Sequence, residues 1–311
     1  MSKVFERLWV SLWDSNGVRQ FARRGVGAVI FQSQAYRKLK LARHYVTSYY
    51  KSRQAPALFQ GVETFCVFIG HNKSGNSMLS ALLDAHPQIV LADEADVLQY
   101  VPAGFTRDQI YHVLLHRARR EAMKGRVTAH RMTPYSFQVP GQWQGRYTTV
   151  RVVGDSTTGT ATRRFARDPN LLRQLQNVMT GTAVKFVQVI RNPYDPISYM
   201  MVRGKRTFEN AIAHYFENCE TVRDMRKQVD SSSLFAVRYE DFVYQPGVRL
   251  AELCRFLGVE AAEDYLQACV SILRQTPDQH RQMVQWDAKW IGVVKDKMER
   301  FDFLAGYSFE R

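Results

Sequence analysis

The sequence predicts an α/β fold with three layers, in which a mostly parallel central sheet of about five strands has helices on both faces. Short runs rich in Val, Ile and Phe recur along the chain and are separated by longer segments with the helical spacing of apolar residues. The short runs are apolar throughout, which is typical of parallel strands buried on both faces. The chain has 311 residues, of which 45% are hydrophobic, enough for a sizeable core.

The first strand and the loop after it form the most informative stretch. Residues 65–69 are an apolar, β-prone run, and Gly70–Gly75 is a loop of small residues that holds Lys73. The apolar residues from Asn76 onward have the spacing of a helix. A strand, a glycine loop and a helix N-terminus in this order can bind an anion through backbone N–H groups. An ordinary strand–helix turn is the alternative, but a buried lysine beside exposed N–H groups needs an anionic partner, and we expect Lys73 to be buried.

This P-loop-like loop differs from that of nucleoside-triphosphate enzymes, in which a lysine and a Mg²⁺-binding hydroxyl follow the second glycine. Here Gly70 and Gly75 have the matching separation, but Asn76 and Ser77 follow, and Lys73 lies inside the loop. We therefore expect a phosphate-like group that is bound by lysine without an obligatory metal ion. No metal site is expected elsewhere, because the four cysteines have no paired spacing.

The second strand, 89–92, ends in two carboxylates, Asp93 and Glu94. Carboxylates at the carboxyl end of a strand next to a phosphate loop lie where α/β folds place their chemistry. The alternative is that they cap a helix over 95–101, since the first turn of a helix favours acids. We expect Glu94 to be functional in preference to Asp93.

The fourth strand, 184–190, ends in Arg191, where a Walker B strand would end in an acid for Mg²⁺. Pro193 follows, at the start of the next helix, and Ser198 lies within two helical turns. An arginine at this position is placed to bind a second phosphate in fork geometry, and a surface ion pair is the alternative.

The remaining segments complete the alternation of strands and helices. The polar and aromatic stretch 125–147 is long for a loop inside a compact domain, so we expect a functional loop such as a lid over the acceptor. The other predicted strands are 150–153 and 234–238, and the other predicted helices are 106–124, 168–179, 207–229, 247–257 and 261–273.

Most of the net charge of +14 lies in the first 58 residues, where eleven Lys or Arg residues face two acids, which gives +9. We expect a basic helical extension, 1–58, and an α/β domain, 59–311. Apolar stripes at helical spacing, among them Leu8 and Trp9, predict amphipathic helices in the extension. Residues 1–53 can make a peripheral contact with an anionic membrane, or pack on the domain with a solvated basic face.

Composition also bears on location. No apolar run is long enough for a membrane span, and thiols without paired spacing favour a reducing compartment. We expect a cytoplasmic protein, with membrane association through the extension as the alternative. No nucleic-acid partner is expected.

Three segments between Thr64 and the carboxyl terminus resemble, in the same order, the signatures of PAPS-dependent sulfotransferases. Residues 70–77 resemble the 5′-phosphosulfate loop of that family, and 187–198 its 3′-phosphate motif. Residues 238–257 resemble the stretch after a third signature. The segments 82–94 and 139–155 are similar to bacterial or Golgi-like members rather than to cytosolic aryl sulfotransferases.

The resemblance implies transfer of a sulfuryl group from PAPS (3′-phosphoadenosine 5′-phosphosulfate) to an acceptor hydroxyl, with PAP as product. Lys73 would stabilise charge on the departing phosphate, and Glu94 would remove the proton of the acceptor. Arg191 and Ser198 would bind the 3′-phosphate, and Tyr239 would lie near the adenine. The acceptor would be a carbohydrate, a lipid or another small molecule. The loop contacts would come from Lys73, Ser74, Gly75, Asn76, Ser77 and Met78.

The chain departs from the family pattern at two of these positions. Ser198 lies seven residues after Arg191 instead of eight, and Tyr199 takes the eighth place. One residue is about 100° of helix, so either side chain is a candidate for the 3′-phosphate. Asp93 stands where relatives carry histidine, which leaves Asp93 beside Glu94 as an alternative base.

Two other classes of function stay open: a P-loop-type small-molecule kinase, and an inert protein that binds a membrane or another anion. The position of the lysine and the arginine at the strand end argue against a metal–nucleotide kinase. The leading expectation is an in-line transfer that is independent of a metal ion.

Overall fold

The computed structural model describes residues 34–127 and 135–310. The chain divides between Arg53 and Gln54 into two compact units. Helix α1, Gln34–Gln54, belongs almost entirely to the first unit and carries six Lys or Arg residues and no acid. Within the described residues, no helix is both long and apolar enough to cross a membrane.

Some expectations fall outside the described residues. The apolar stripe around Leu8 and Trp9 is one of them, and the middle of the predicted loop 125–147 is another. The division into 1–58 and 59–311 stays a prediction.

The second unit is built on a five-stranded sheet in the order β2-β3-β1-β4-β5, in which every pairing is parallel. This arrangement confirms the predicted α/β class and the predicted number of strands. The strands are β1 (Thr64–Gly70), β2 (Ile89–Ala92), β3 (Val152–Asp155), β4 (Ala183–Ile190) and β5 (Leu234–Arg238).

Helices connect the strands and cover the sheet. Each connection between parallel strands has to return along the sheet, and here every one contains at least one helix. The helices of this unit are α2 (Asn76–Asp84), α3 (Arg107–Met123), α4 (Thr158–Arg167), α5 (Leu171–Val178), α6 (Tyr194–Gly204), α7 (Phe208–Gln228), α8 (Tyr239–Tyr244), α9 (Pro246–Leu257), α10 (Glu263–Ser271) and α11 (Ala288–Met298).

The two faces of the sheet bury different side chains, because successive residues of a strand point to opposite sides. Phe68 of β1 belongs to a core shared with α2, α9 and α10. Phe65 of the same strand stacks on Tyr111 of α3, with ring centroids 6.0 Å apart. Phe186 of β4 meets the edge of Phe165 of α4 at 6.0 Å. Helices therefore lie on both faces, as predicted.

Helix α4 has no counterpart in the sequence prediction, which places only one helix, 168–179, between β3 and β4. Part of that prediction corresponds to α5. The first turns of α4 are rich in threonine and contain Gly159, all residues of low helix propensity. Tertiary contacts fix the helix instead: Thr162 Oγ1 accepts a hydrogen bond from Gly70 N at 2.8 Å.

The helix expected over 95–101 is a single 3-10 turn, Val97–Gln99. Asp96, immediately before it, has a left-handed φ of 56°, which a regular helix does not allow. The turn after β2 therefore has its own shape, which is described with the site.

The strand order determines where the candidate residues lie. All five strands are parallel, so their carboxyl ends share one edge of the sheet. Glu94 follows β2, Lys73 follows β1, Arg191 follows β4 and Tyr239 follows β5. Neighbouring strands are about 4.8 Å apart, so the ends of β2 and β1, with β3 between them, are about 10 Å apart.

Candidate active site

The loop after β1 has the backbone of a tight turn. Gly70, Lys73 and Gly75 have φ values of 110°, 68° and 100°. A Cβ atom on Gly75 would lie 2.5 Å from Cδ2 of Tyr239, so only glycine fits between the loop and this ring. Helix α2 begins at Asn76, directly after Gly75. Its first N–H groups have no partner within the helix and are available to an anion.

Hydrogen bonds on both sides hold the loop in this shape. Gly159 N of α4 donates to Asn72 Oδ1 at 3.0 Å. Asn76 Nδ2 donates to His71 O at 2.7 Å and closes the loop on itself. The predicted contact residues Ser74, Asn76 and Met78 are buried, whereas Ser77 is half-buried. The protein's own hydrogen bonds thus define the shape of the loop.

His71, the second residue of the loop, is buried and has a structural role. Its ring stacks on Tyr215 with centroids 3.8 Å apart, and Nε2 is 2.8 Å from Tyr215 O. A carbonyl can only accept, so Nε2 carries the hydrogen. Burial lowers the pKa of His71 to about 4, so the ring is neutral at physiological pH.

Arg191 connects the phosphate loop to two other parts of the chain. Only 4% of the residue is exposed. Its Nη1 donates to Lys73 O at 3.0 Å, its Nη2 donates to Asp278 O, and its Nε is 3.5 Å from Asp195 Oδ2. The guanidinium also lies 4.5 Å from the centroid of the Tyr239 ring. The sequence-predicted residues Lys73, Arg191 and Tyr239 therefore form one cluster.

The two candidates for the 3′-phosphate on α6 face different neighbours. Ser198 is fully buried, and its Oγ accepts a hydrogen bond from Trp286 Nε1 at 2.9 Å. Tyr199 is half-buried, and Lys73 Nζ lies 4.9 Å from the centroid of its ring. Lys73 is exposed, so the expectation of a buried lysine is wrong. Its ammonium lies over an aromatic face, a favourable cation–π contact.

The turn after β2 presents two carboxylates differently. Glu94 is exposed and has a left-handed φ of 51°. Asp93 is half-buried, and its Oδ1 accepts a hydrogen bond from Ser156 Oγ at 2.5 Å. Arg117 Nε donates to Asp93 O at 3.1 Å. Glu94 follows β2, which is two strands away from β1 and its phosphate loop. The structure therefore does not bring Glu94 into the cluster of Lys73, Arg191 and Tyr239.

Sequence reasoning missed a third carboxylate beside this turn. Asp155 is 1% exposed, and its oxygens accept hydrogen bonds from Ala95 N, Val97 N and Thr157 Oγ1. Burial raises the pKa of Asp155 to about 6, and the nearby charge of Asp93 adds to the shift. An aspartate that ends a strand and is followed by Ser-Thr-Thr was the available signal.

A second missed feature is the segment around residue 280. Arg281 N and Nη1 donate to the two carboxylate oxygens of Asp195 at 2.8 and 3.1 Å. Burial raises the pKa of Asp195, and the two arginines beside it, Arg191 and Arg281, oppose that shift. Together with the Asp278 carbonyl, this pair ties a distant segment to Arg191. Nothing in the local spacing of residues 278–281 indicates the contact.

Comparison with known proteins agrees with the fold. The model of the Sulfotransferase family matches residues 66–264. No curated protein matches the chain. Among solved structures, the sulfotransferase domain of the Synechococcus PCC 7002 olefin synthase is 16% identical and covers 77% of this chain and 94% of its own length, with a TM-score of 0.50.

Two further solved structures are more distant. The sulfotransferase of Alicyclobacillus acidocaldarius is 18% identical, with 80% of this chain and 96% of that chain covered and a TM-score of 0.43. Mouse sulfotransferase SULT7A1, solved with PAP, is 12% identical, with 78% and 84% covered and a TM-score of 0.41. The family match spans well over half of the chain and falls on the parallel sheet and its phosphate loop. The chain belongs to the sulfotransferase family of enzymes.

Proposed function

We propose that the chain transfers the sulfuryl group of PAPS to an acceptor hydroxyl and releases PAP. The observation that carries the proposal is the hydrogen bond from Arg191 Nη1 to Lys73 O, which joins two anion-binding elements 118 residues apart in sequence. A P-loop-like turn with a lysine and a buried arginine beside it can bind two separate anionic groups. PAPS carries two such groups, at its 5′ and 3′ positions.

The residues of this cluster fit such a ligand. Lys73 and the loop Ser74–Met78 surround the N-terminus of α2 and would bind the 5′-phosphosulfate. Arg191 would bind the 3′-phosphate, because its Nη2 now donates to the Asp278 carbonyl, which a phosphate oxygen can replace. Tyr239 packs between Gly75 and the Arg191 guanidinium and would border the adenine. Ser198 and Tyr199 both stay candidates for the 3′-phosphate.

Bound PAPS would supply an activated sulfuryl group next to Lys73. Glu94 would accept the acceptor's hydroxyl proton while the acceptor oxygen bonds to sulfur and the bond from sulfur to the phosphate oxygen breaks. The Lys73 ammonium would neutralise the charge that builds on that phosphate oxygen. Glu94 follows β2 and Lys73 follows β1, so the proposed base and the proposed donor site lie at the same edge of the sheet, with the end of β3 between them.

Asp93 is the alternative base. Its Oδ1 already accepts a short hydrogen bond from Ser156, whereas the Glu94 side chain is exposed. We therefore assign the proton to Glu94. The P-loop kinase alternative is not favoured, because β4 ends in Arg191 and the matching family is that of the sulfotransferases.

The proposal is tested by the thermal stability of the protein with PAP or 5′-AMP at equal concentration. PAP should raise the melting temperature clearly more than 5′-AMP, because only PAP has a 3′-phosphate for Arg191. Equal shifts would contradict the assignment of Arg191. Arg191→Gln should lose the preference, and Arg255→Gln, at an exposed arginine of α9, should keep it.

The acceptor would be a small molecule with a free hydroxyl, such as a carbohydrate or a lipid. Incubating the enzyme and sulfur-labelled PAPS with fractions of a cell extract would identify it. An active fraction should contain a compound heavier by one sulfuryl group. Label that stays in PAPS or appears only as free sulfate in every fraction would argue against transfer to a hydroxyl.

A lipid surface is a second proposed partner, through residues 1–53. In the described part of this segment, helix α1 has six basic residues, and Leu39, Val46 and Tyr50 are each at least half exposed. Exposed apolar and tyrosine side chains among lysines and arginines suit an anionic membrane surface. The full chain should sediment with anionic vesicles and stay in the supernatant with neutral vesicles. Equal behaviour with both would refute the contact.

A further inference from the structure

The turn after β2 has an unusual backbone. Glu94 and Asp96 have φ values of 51° and 56°, so two of three successive residues are left-handed without being glycine. Lys73, at 68°, is another of the five such residues in the described part of the chain. Left-handed residues other than glycine persist where the surrounding structure holds them, and they cluster at active sites. The backbone therefore indicates a function for this turn.

A buried carboxylate holds the inner side of the turn. Asp155 at the end of β3 is paired with Ala92 at the end of β2 in the register of the sheet. Its Oδ1 accepts from Ala95 N at 3.1 Å, and its Oδ2 accepts from Val97 N at 2.8 Å. These two amides flank Asp96, so the carboxylate fixes the chain on both sides of a left-handed residue.

Two more side chains hold the outer side. Thr157 Oγ1 accepts from Asp96 N at 2.7 Å and donates to Asp155 Oδ2 at 2.7 Å. Arg164 of α4 donates from Nε and Nη2 to the two carboxylate oxygens of Asp96, at 2.5 and 2.6 Å. This fork geometry fixes both the distance and the orientation of the carboxylate. The turn is thus held by β3, by the segment after it and by α4.

The neighbours of Glu94 have their carboxylates bound within the protein. Asp93 accepts from Ser156, and Asp96 accepts from Arg164. Glu94 lies between them with an exposed side chain. Glu94 is thus the most exposed of the three carboxylates in this turn.

We propose that Asp155, Thr157 and Arg164, which we call the turn support, are positioning residues that hold Glu94 in place for proton transfer. The inference rests on the proposed function of Glu94 as base. The turn support acts through the backbone of residues 93–97 and needs no contact with the acceptor. Without it, Glu94 can relax to an ordinary φ, and its carboxylate then leaves the acceptor. Nucleotide binding should change little, because Arg191 follows β4, which is two strands away from β3 in the sheet.

The test compares Arg164→Gln with Arg163→Gln. Both variants remove one positive charge from neighbouring positions of α4, but Arg163 Nη2 donates to Thr160 Oγ1 within the helix. We expect Arg164→Gln to lower turnover of sulfur-labelled PAPS at least tenfold, with PAP affinity within twofold of wild type. Hydrogen exchange at the amides of 95–97 should become faster. Arg163→Gln should match wild type in all three measurements.

A double-mutant cycle distinguishes positioning from general stability. In a Glu94→Gln background, Arg164→Gln should lower turnover no further, because the group it positions is gone. The same fold loss in both backgrounds would mean a purely structural role and would overturn the proposal. Unchanged turnover in Arg164→Gln would also overturn it. A wild-type protein that does not bind PAP would instead contradict the proposed function, on which this inference depends.

Discussion

The proposed nucleotide side and the proposed acceptor side of the candidate site are held by opposite kinds of hydrogen bond. On the nucleotide side, at the ends of β1, β4 and β5, the Arg191 guanidinium donates to the carbonyls of Lys73 and Asp278. On the acceptor side, at the ends of β2 and β3, the Asp155 carboxylate accepts from the amides of Ala95 and Val97. One side is a cation among carbonyl oxygens, and the other is an anion among N–H groups.

This difference teaches which side can respond to a ligand. A phosphate oxygen can replace a carbonyl oxygen on an arginine and gains strength because it is charged. Nothing in the proposed reaction can replace the amides around Asp155. The nucleotide side is therefore a set of donors that can exchange partners, and the acceptor side is a fixed frame.

The largest predicted effect is a steric disruption of the proposed nucleotide side. In Gly75→Ala the new Cβ would lie 2.5 Å from the Tyr239 ring, at a φ of 100°. Overpacking and the left-handed backbone together should cost about 3 kcal/mol of unfolding free energy. PAP affinity should fall at least tenfold, because the loop and the ring separate. Urea unfolding and calorimetry with PAP measure the two quantities.

Gly104→Ala is the matched control for this prediction. Gly104 also has a positive φ, 76°, but a Cβ there would meet nothing within 4 Å. It should cost only about 1 kcal/mol and leave PAP affinity unchanged. Equal losses of unfolding free energy in the two variants would show that the clash with Tyr239 adds nothing to the cost of Gly75→Ala.

The second prediction concerns the acceptor side and pH. The folded pKa of Asp155 is raised from 3.8 to about 6, so this carboxyl stabilises the fold most when protonated, and that stabilisation is lost as pH rises through 6. Asp155→Asn removes the titration. When the pH falls from 7 to 4, the unfolding free energy of the wild type should therefore rise by about 2 kcal/mol relative to that of the variant. Urea unfolding at the two pH values measures this difference.

A difference between the two proteins that does not change with pH would contradict the raised pKa. At constant pH, the variant also faces the Ala95 and Val97 amides with an NH₂ group in place of one oxygen. Its turn should be less ordered, and proteolysis or hydrogen exchange near residue 95 would reveal this.

The smallest predicted effect concerns Ser198 and tests whether this residue contacts the 3′-phosphate. Ser198→Ala leaves Trp286 Nε1 without its hydrogen-bond acceptor, which should cost about 1 kcal/mol of stability. Because Ser198 is fully buried, we expect PAP affinity to change less than threefold. A tenfold loss would instead establish a direct contact with the 3′-phosphate. Ser231→Ala, at an exposed serine, should change neither quantity.

Sequence reasoning located Lys73 and Arg191, which the structure brings together, but missed Asp155 beside the turn after β2. The reason is physical. Lys73 and Arg191 occupy strand ends that can be located from apolar runs, and a short motif surrounds each of them. Asp155 acts on amides sixty residues earlier in the chain, and no local pattern encodes such a bond. Helix α4 was missed likewise, because contacts such as that of Thr162 with Gly70 outweigh its poor propensity.

The buried ring of His71 in the phosphate loop and the buried carboxyl of Asp155 should respond differently to acid. Burial lowers the pKa of His71 to about 4, so this ring stays neutral at physiological pH. Asp155 changes charge near pH 6, and protonation turns one of its acceptor oxygens into a donor. Mild acidification should therefore loosen the turn that holds Glu94 and slow catalysis.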